Sequence, residues 1–322
     1  MSGTSKQYDV AALGELLVDL TLCGGEEGVP LYAANPGGAP ANVLAMLRKL
    51  GRRCAFLGKV GEDFFGDALA DALRAEGIDL CGLRRAADAP TTLAVVSTAA
   101  DGERDFCFYR RPGADTLLRP DELDEDALRH CRIFHFGSLS LTDEPSRSAT
   151  ARAIRLAREA GALLSFDPNL RPPLWRSPED ARSQIAWGLS QCDLLKIADD
   201  ELRFLTGTDD PDAGAAMLCG RYPGLRLICV TAGAQGSWAF CGARRVFQPA
   251  LSGAAIVDTT GAGDAFCACM LHCVLERGPD GFDEAALRAM LRLGNAAGCL
   301  VSTRKGALRS MPTRAELDAL LA

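Results

Sequence analysis

Short apolar segments alternate with longer amphipathic stretches along most of the chain. The apolar segments predict strands at Asp9–Leu13, Cys54–Leu57, Ile133–Phe136, Leu163–Phe166, Asp193–Ile197 and Leu227–Val230. The amphipathic stretches have helical spacing and predict helices at Pro40–Leu50, Asp63–Glu76, Arg147–Ala160, Asp264–Glu276 and Glu284–Val301. Strands that alternate with helices are typical of a mostly parallel sheet covered on both faces. The pattern therefore predicts an α/β protein.

Two segments, residues 16–35 and 91–112, break this alternation. Their apolar residues recur at every second position around turn signals such as Asp101-Gly102, which favours extra strands and hairpins. Such strands could form a small lid over a crevice, and surface decoration is the alternative. No linker rich in Pro, Gly or Ser divides the chain, so we expect a single domain over residues 1–322.

Composition narrows the choice of partners. The chain is 48% hydrophobic and 24% charged, with a formal net charge of -7, which argues against nucleic acid or an anionic membrane as a partner. A small anion can still bind, because a helix N-terminus overrides bulk charge locally. The start, MSGTSKQYDV, lacks a signal region, and no apolar run approaches about 18 residues. These features predict a cytoplasmic protein.

The 13 cysteines show no metal-type spacing. Cys267, Cys269 and Cys273 stand closest together, inside an apolar stretch, and no histidine completes a zinc set. We expect them to be buried as small apolar residues. So many free thiols are typical of a reducing cytoplasm.

The stretch VDTTGAGDAFCACM, residues 257–270, carries the chemistry. Apolar residues 255–257 precede the turn Gly261-Ala262-Gly263-Asp264, and a helical pattern follows, which predicts strand, turn and helix. The first N–H groups of such a helix have no partner within it, and the helix dipole adds positive charge. Small residues allow an anion to approach these groups. The turn therefore forms an anion hole without a basic side chain.

Other interpretations of this turn can be compared. It lacks the GxxxxGK[ST] pattern, and Phe266 stands where a dinucleotide fingerprint has its third glycine. A structural turn with Asp264 as helix cap is the more frequent meaning of an isolated GxG. Asp264 beside an anion hole also suits phosphoryl transfer, where an aspartate orients a hydroxyl and takes its proton late in the reaction.

Six further motifs accompany the turn, and their order along the chain favours phosphoryl transfer over a purely structural turn. They are GELLVDL (14–20), NPGGAPANV (35–43), LGKVGEDFFG (57–66), FYRRPGAD (108–115), FDPNLRPPLW (166–175) and VTAGAQGS (230–237), followed by DTTGAGDAF (258–266). From about Tyr8 to Thr313 the chain resembles the ribokinase-like (PfkB) carbohydrate kinases, and among them the fructokinases. The resemblance implies a three-layer α/β/α fold with a small β-sheet lid.

The resemblance also implies roles for individual residues. It makes Asp264 the catalytic base and Gly261, Ala262 and Gly263 the anion hole. Sugar contacts are implied for Asp19, Gly37, Gly38, Asn42, Arg110 and Arg171. Nucleotide contacts are implied for Thr231, Gly233, Gly236 and Asn295. Taken singly, Asp19 is equally a turn residue, the two arginines surface ion-pair residues, and Asn295 a solvent-facing helix residue.

Metal ions follow from the same resemblance. ATP as donor requires Mg²⁺, and Glu201 matches the glutamate that acts on it through water, although Ala198 replaces the usual asparagine or serine. A K⁺ site is implied at Asp258, Thr260, Val301, Arg304, Gly306 and Ser310. K⁺ dependence varies within the family.

The expected activity is phosphorylation of fructose by ATP to fructose 6-phosphate. A 2-keto-3-deoxygluconate kinase is the alternative, because Arg110 and Arg171 could clamp the carboxylate of that sugar acid. A sugar-binding protein that has lost the chemistry is another, although Asp264 and the anion hole are intact. An NAD-dependent oxidoreductase is excluded by the glycine pattern. Exposed apolar residues on the lid predict a homodimer.

Overall fold

The computed structural model describes residues 6–26, 29–98 and 104–322. The strands are β1 Tyr8–Leu13, β2 Leu17–Glu26, β3 Val29–Gly37, β4 Cys54–Gly61, β5 Asp79–Ala86, β6 Leu93–Thr98, β7 Arg104–Tyr109, β8 Cys131–Gly137, β9 Leu163–Asp167, β10 Leu194–Ala198, β11 Leu227–Thr231, β12 Gly236–Cys241 and β13 Arg244–Pro249. The helices are α1 Ala39–Lys49, α2 Phe64–Ala75, α3 Glu125–Arg129, α4 Ser146–Glu159, α5 Pro178–Gln191, α6 Asp199–Thr206, α7 Pro211–Arg221, α8 Ala262–Arg277, α9 Glu284–Ser302 and α10 Arg314–Leu321. The turn predicted at Asp101-Gly102 lies outside the described residues.

Nine strands form the main sheet, in the order β13-β12-β11-β10-β9-β8-β1-β4-β5. All neighbouring pairs from β11 to β5 are parallel, and β12 and β13 add an antiparallel edge. The predicted fold class, a mostly parallel sheet in an α/β protein, is confirmed. In such sheets ligands bind beyond the carboxyl ends of the strands.

Helices cover both faces of the main sheet, because its buried strands are apolar on both sides. In β1, Val10 and Ala12 pack into one core with the apolar faces of α1, α8 and α9. Ala11 and Leu13 pack into a second core with residues of α3, α4 and α5. Alternate residues of a strand point to opposite faces, so one short segment contributes to two cores. The result is a three-layer α/β/α arrangement.

The two segments that break the alternation form a separate sheet of four strands, β3-β2-β6-β7. β2 pairs antiparallel with β3 and parallel with β6, and β6 pairs antiparallel with β7. Leu17 and Asp19 of β2 and Phe108 of β7 line a cavity described below. That placement supports the interpretation of this second sheet as a lid, which remains a prediction.

The structure contradicts one strand that the sequence predicts. Residues 255–257, predicted as a strand, are not in a sheet, and Ile256 and Val257 are 64% and 50% exposed. The N–H groups of Val257 and Asp258 instead donate to the carbonyl oxygen of Ser302, at 2.8 and 3.1 Å. The end of α9 therefore holds this segment in place of a neighbouring strand.

The pattern also missed several elements. β5 is a half-exposed edge strand with a mixed sequence. The helices α5, α6 and α7 were not predicted either, and α6 and α7 follow one another without a strand between them. The hairpin of β12 and β13 turns through Gly242-Ala243, with Gly242 at φ 58°. Its glycine-containing two-residue loop was a usable signal. Among the described residues, none of the helices has the length and apolarity needed to cross a membrane.

Candidate active site

Two cavities meet at the glycine turn that begins α8. The first has a volume of about 390 Å³ and the second of about 520 Å³. Gly261, Gly263 and Asp264 line the first, and Ala262 and Gly263 line the second. The turn therefore forms part of the wall of both cavities.

The local sequence explains the shape of this turn. Gly261 is the N-cap of α8 with φ 86°, and a Cβ atom there would lie 3.1 Å from Cβ of Ala307. Because Gly261 has no side chain, no side-chain acceptor caps α8, which leaves the helix start open to an anion. The Ala262 N–H donates to the carbonyl oxygen of Thr259 at 3.2 Å, so this predicted donor is already engaged.

Asp264 is the third residue of α8 and is buried, with 8% of its surface exposed. Its Oδ2 accepts a hydrogen bond from Nδ2 of Asn42 at 2.8 Å, across 222 residues of sequence. Burial raises its pKa, against that hydrogen bond and the charges of Lys196 and Arg171. The alternative of a helix-cap residue is wrong, because the carboxylate does not cap α8 and lies instead at the first cavity.

Lys196 supplies the basic group that the sequence of the turn lacks. It lies in β10, is 6% exposed, and its Nζ is 3.1 Å from Oδ2 of Asp167 at the end of β9. A Cβ atom on Gly263 would lie only 3.0 Å from Nζ, so the lysine packs against the turn. Burial alone would lower the pKa of Lys196, but the carboxylates of Asp167, Glu201 and Asp264 raise it above its usual value. The predicted anion hole therefore has a cation beside it.

The prediction that the anion hole has no basic side chain beside it is thus wrong. The signal was present in the sequence, since a lysine inside the apolar strand LLKIA is rarely buried without a partner. Asn169 was also missed: it lines the first cavity, and its φ of 43° is the one positive value outside glycine among the described residues.

Four of the predicted sugar-contacting residues, Asp19, Gly38, Asn42 and Arg171, line the first cavity together with Asp264. Gly37 does not line it, but a Cβ there would lie 2.3 Å from Oδ2 of Asp19, so it makes room for that carboxylate. Their contacts with a sugar remain predictions.

Arg110 lies elsewhere. Its guanidinium donates to Oδ2 of Asp115 at 2.8 Å, to Oγ1 of Thr142 at 2.9 Å and to the carbonyl oxygen of Leu139 at 2.9 Å. The side chain is 3% exposed and does not line the first cavity. The expected sugar contact is not supported by this arrangement, and the alternative of a surface ion pair is wrong as well, because the pair is buried.

Glu15 also lines the first cavity, although the sequence did not identify it as a site residue. It follows β1, is 3% exposed, and accepts a hydrogen bond from the N–H of Ala39 at 2.9 Å. Burial raises its pKa to about 7, against the N–H groups of Glu15 and Ala39 and the charge of Arg110.

The predicted nucleotide residues converge on the second cavity, which Thr231, Gly233, Gly236 and Asn295 all line. Asn295 does not simply face solvent. Its Oδ1 accepts from Oγ of Ser237 at 2.8 Å, and its Nδ2 donates to the carbonyl oxygens of Gln248 and Pro249 at 3.1 Å. Glycines and small residues dominate the remaining wall, which leaves width for a planar ring.

Glu201 does not fit a direct magnesium ligand. Its two oxygens accept from the N–H groups of Leu170 and Ala198, at 2.6 and 2.8 Å, and it lines neither cavity. In the described part of the chain no group of three or more His, Cys, Asp or Glu could hold a metal ion. The action of Glu201 on Mg²⁺ through water remains a prediction.

The residues predicted for K⁺ come from two segments that meet beside the turn. Oδ1 of Asp258 accepts from the N–H of Thr260 at 2.8 Å, and its Oδ2 lies 3.5 Å from the N–H of Gly306. The carbonyl oxygens of Val301 and Gly306 accept from the N–H groups of Arg304 and Ser310. This grouping supports the predicted site, and occupation by K⁺ remains a prediction.

Asp19 gives a testable dependence on pH. Burial raises its pKa to about 7, opposed by Arg171 and reinforced by Asp258 and Asp264. An unfolded aspartate titrates near pH ~4, so between about pH 4 and 7 the native state keeps a proton that the unfolded state loses, and stability falls as pH rises. As the pH rises from about 4 to 8, we expect the free energy of unfolding to fall less in Asp19→Asn than in the parent. Near pH 4 the two proteins should be equally stable. Urea unfolding at several pH values measures this, and equal slopes would refute the assignment.

A three-layer fold in which a helix-start turn lies between a carboxylate-lined cavity and a second cavity is suited to the transfer of a phosphoryl group to an alcohol. Residues 8–314 match the family described as pfkB family carbohydrate kinase. The chain belongs to the pfkB family of carbohydrate kinases, and the family resemblance of its motifs is confirmed.

Relatives and solved structures agree with this membership. The probable fructokinase-3 of Arabidopsis thaliana is 44% identical over 320 residues, which cover 98% of this chain and 92% of the relative. A fructokinase of Xylella fastidiosa with bound ATP superposes with a TM-score of 0.88 at 33% identity, covering 98% of each chain. A double mutant of fructokinase from Vibrio cholerae O395, bound to fructose, ADP and potassium ion, gives 0.89 at 32% identity, covering 99% of this chain and 100% of that one.

Proposed function

We propose that this chain is a fructokinase that transfers the γ-phosphate of ATP to a hydroxyl of fructose and forms fructose 6-phosphate. The observation that carries the proposal is the position of Asp264, which lines the first cavity from the same turn that forms the wall of the second. Fructose binds in the first cavity and ATP in the second. The names of relatives that are 42–44% identical over almost the whole chain support fructose as the acceptor.

The chain's own groups account for the transfer. Asp264 accepts a hydrogen bond from the sugar hydroxyl and takes its proton as the new bond to phosphorus forms, while ADP leaves. Asn42 holds the carboxylate by its hydrogen bond. The start of α8 and the Lys196 ammonium stabilise the negative charge on the transferred group, since preorganised donors at developing charge are the largest usual source of catalysis. Mg²⁺, when bound with ATP, neutralises phosphate charge.

A neutral sugar suits the first cavity better than a sugar acid. The clamp expected for 2-keto-3-deoxygluconate needs both Arg110 and Arg171. Of these two, Arg171 lines the cavity, whereas Arg110 does not and is paired with Asp115. The carboxyl groups of Glu15, Asp19 and Asp264 also line the cavity, and in their ionised form they disfavour an anionic substrate.

The second sheet acts as the lid of the first cavity in this proposal. Several large apolar side chains on its strands are exposed, among them Val29 at 61%, Leu31 at 47% and Tyr32 at 47%. Exposed apolar groups that lie together favour a protein contact. We include in the proposal a homodimer formed through this sheet, and a cytoplasmic location remains a prediction.

A coupled assay of ADP formation tests the function. Purified protein with ATP and Mg²⁺ is offered D-fructose, 2-keto-3-deoxygluconate, ribose and glucose, and we expect the highest kcat/KM with fructose. A higher kcat/KM with the sugar acid would overturn the choice of acceptor. Calorimetric sugar binding without turnover of any sugar would favour the catalytically silent alternative.

A further inference from the structure

Glu15 has no role in the chemistry described so far. It lies in the crossing from β1 to β2, where the chain passes from the main sheet to the second sheet. The side chain lines the first cavity and is buried, and its Oε2 has no hydrogen-bond partner among the described residues. A buried carboxylate with an unmatched oxygen is costly to keep. Such a cost is typical of a residue retained for function.

Glu15 caps a helix that cannot cap itself. Ala39 is the first residue of α1, and its N–H donates to Oε1 of Glu15 at 2.9 Å. The N-cap position belongs to Gly38, which has φ 118° and whose Cβ, if present, would lie 2.3 Å from the carbonyl oxygen of Glu15. A capping serine or aspartate is therefore excluded at position 38. Glu15 supplies the missing acceptor from 24 residues away.

Helix α1 connects this cap to the base. Asn42 lies one turn after Ala39, and its N–H donates to the carbonyl oxygen of Gly38 at 3.0 Å. Its Nδ2 donates to Oδ2 of Asp264 at 2.8 Å, which makes it the hydrogen-bond donor that orients the carboxylate. A shift of the first turn of α1 would move this amide directly. Misplacement by about 1 Å can lower a rate by about 10²-fold.

We propose that Glu15 is a positioning residue for the reaction: by holding the Ala39 N–H it fixes the first turn of α1, and through Asn42 it fixes Asp264. The proposal rests on the proposed role of Asp264 as base. It requires the length of the Glu15 side chain and its acceptor oxygen, and not its charge. Arg110, whose positive charge acts on Glu15, is already paired with Asp115 at 2.7 Å.

Two matched substitutions separate reach from charge. Glu15→Gln keeps the length and an acceptor oxygen without the charge, and Glu15→Asp keeps the charge but is one methylene too short for the same contact. We expect Glu15→Asp to lower kcat by about 10- to 100-fold, with the KM values for fructose and ATP changed far less. Glu15→Gln should stay within about threefold of the parent, because its amide still accepts from Ala39.

Asp283→Ala is the control for a purely structural cap. Asp283 accepts from the N–H of Ala286 at 2.7 Å at the start of α9, and neither residue lines a cavity. We expect it to lower Tm as Glu15→Asp does while kcat stays at the parent value.

In an Asn42→Ala background, Glu15→Asp should lower kcat by less than threefold, because the connection to Asp264 is already broken.

Three results would overturn the proposal. They are a parent-like kcat for Glu15→Asp, a loss in Glu15→Gln equal to that in Glu15→Asp, and full additivity with Asn42→Ala. Each is measured with a parent enzyme that phosphorylates fructose. A parent that turns over no sugar would refute the proposed function itself, so the two failures are distinguishable.

Discussion

Replacing Asp264 by asparagine should lower kcat by roughly 10²–10⁴, the usual worth of a positioned general base. The carbonyl oxygen of an asparagine can still accept from Asn42, so the 2.8 Å contact can be kept and the cavity retains its shape. What is lost is the group that takes the proton of the sugar hydroxyl. Steady-state ADP formation with fructose gives kcat, and calorimetry gives the two binding constants, which we expect to change little.

Asp318→Asn is the matched control for that substitution. Asp318 lies on α10, half-exposed, with its Oδ1 2.8 Å from Nε of Arg314 and away from both cavities. Its kcat should equal that of the parent, because a surface pair contributes little. Normal turnover by Asp264→Asn would show that the assigned mechanism is wrong.

Lys196→Met should lower kcat by about 10²–10³, the effect of removing one preorganised donor at a developing negative charge. Stability should fall too, because Asp167 would then be a buried carboxylate without its partner, at a cost of about 3–5 kcal/mol. These two effects have different origins and need to be measured separately, by kcat at saturating substrates and by urea unfolding.

The double variant Lys196→Met, Asp167→Asn separates them. It leaves no buried unpaired charge, so stability should return most of the way toward that of the parent. The loss in kcat should remain, because no cation then lies beside Gly263. Recovery of kcat together with stability would show that Lys196 only supports the fold. The double variant also serves if Lys196→Met alone does not fold.

Local pattern was sufficient for the core of this fold. Each of the six predicted strands is part of the main sheet, because a parallel sheet covered on both faces requires continuous apolar runs. The pattern was insufficient where burial is one-sided or partial. β5, at the sheet edge, mixes Asp79, Arg84 and Arg85 with apolar residues and has no clean period. Residues 255–257 form an apolar run like that of a buried strand, but the structure joins this segment to the end of α9 and not to a described strand.

The candidate active site likewise has features that the local sequence predicts and features that it does not. The turn at residues 261–264 could be recognised as a helix start from its glycines, because helix-start geometry depends on neighbouring residues. Its electrostatics could not: the strand LLKIA indicated that Lys196 has a partner, but not that it lies beside Gly263, 67 positions later in the chain. The place of Arg110 was also misjudged, since its pairing with Asp115 depends on how the chain folds back after β7.

The sequence by itself determined the local conformations: which segments are buried on both faces, where α8 begins, and that no side chain caps its first turn, which carries a carboxylate. Those properties follow from side-chain period and from the φ values that glycine permits. Only the tertiary structure decided what surrounds that carboxylate. Asn42, Lys196 and Glu15 come together through the strand order of the main sheet. That order is set by packing among distant segments, and the local pattern of apolar and polar residues does not encode it.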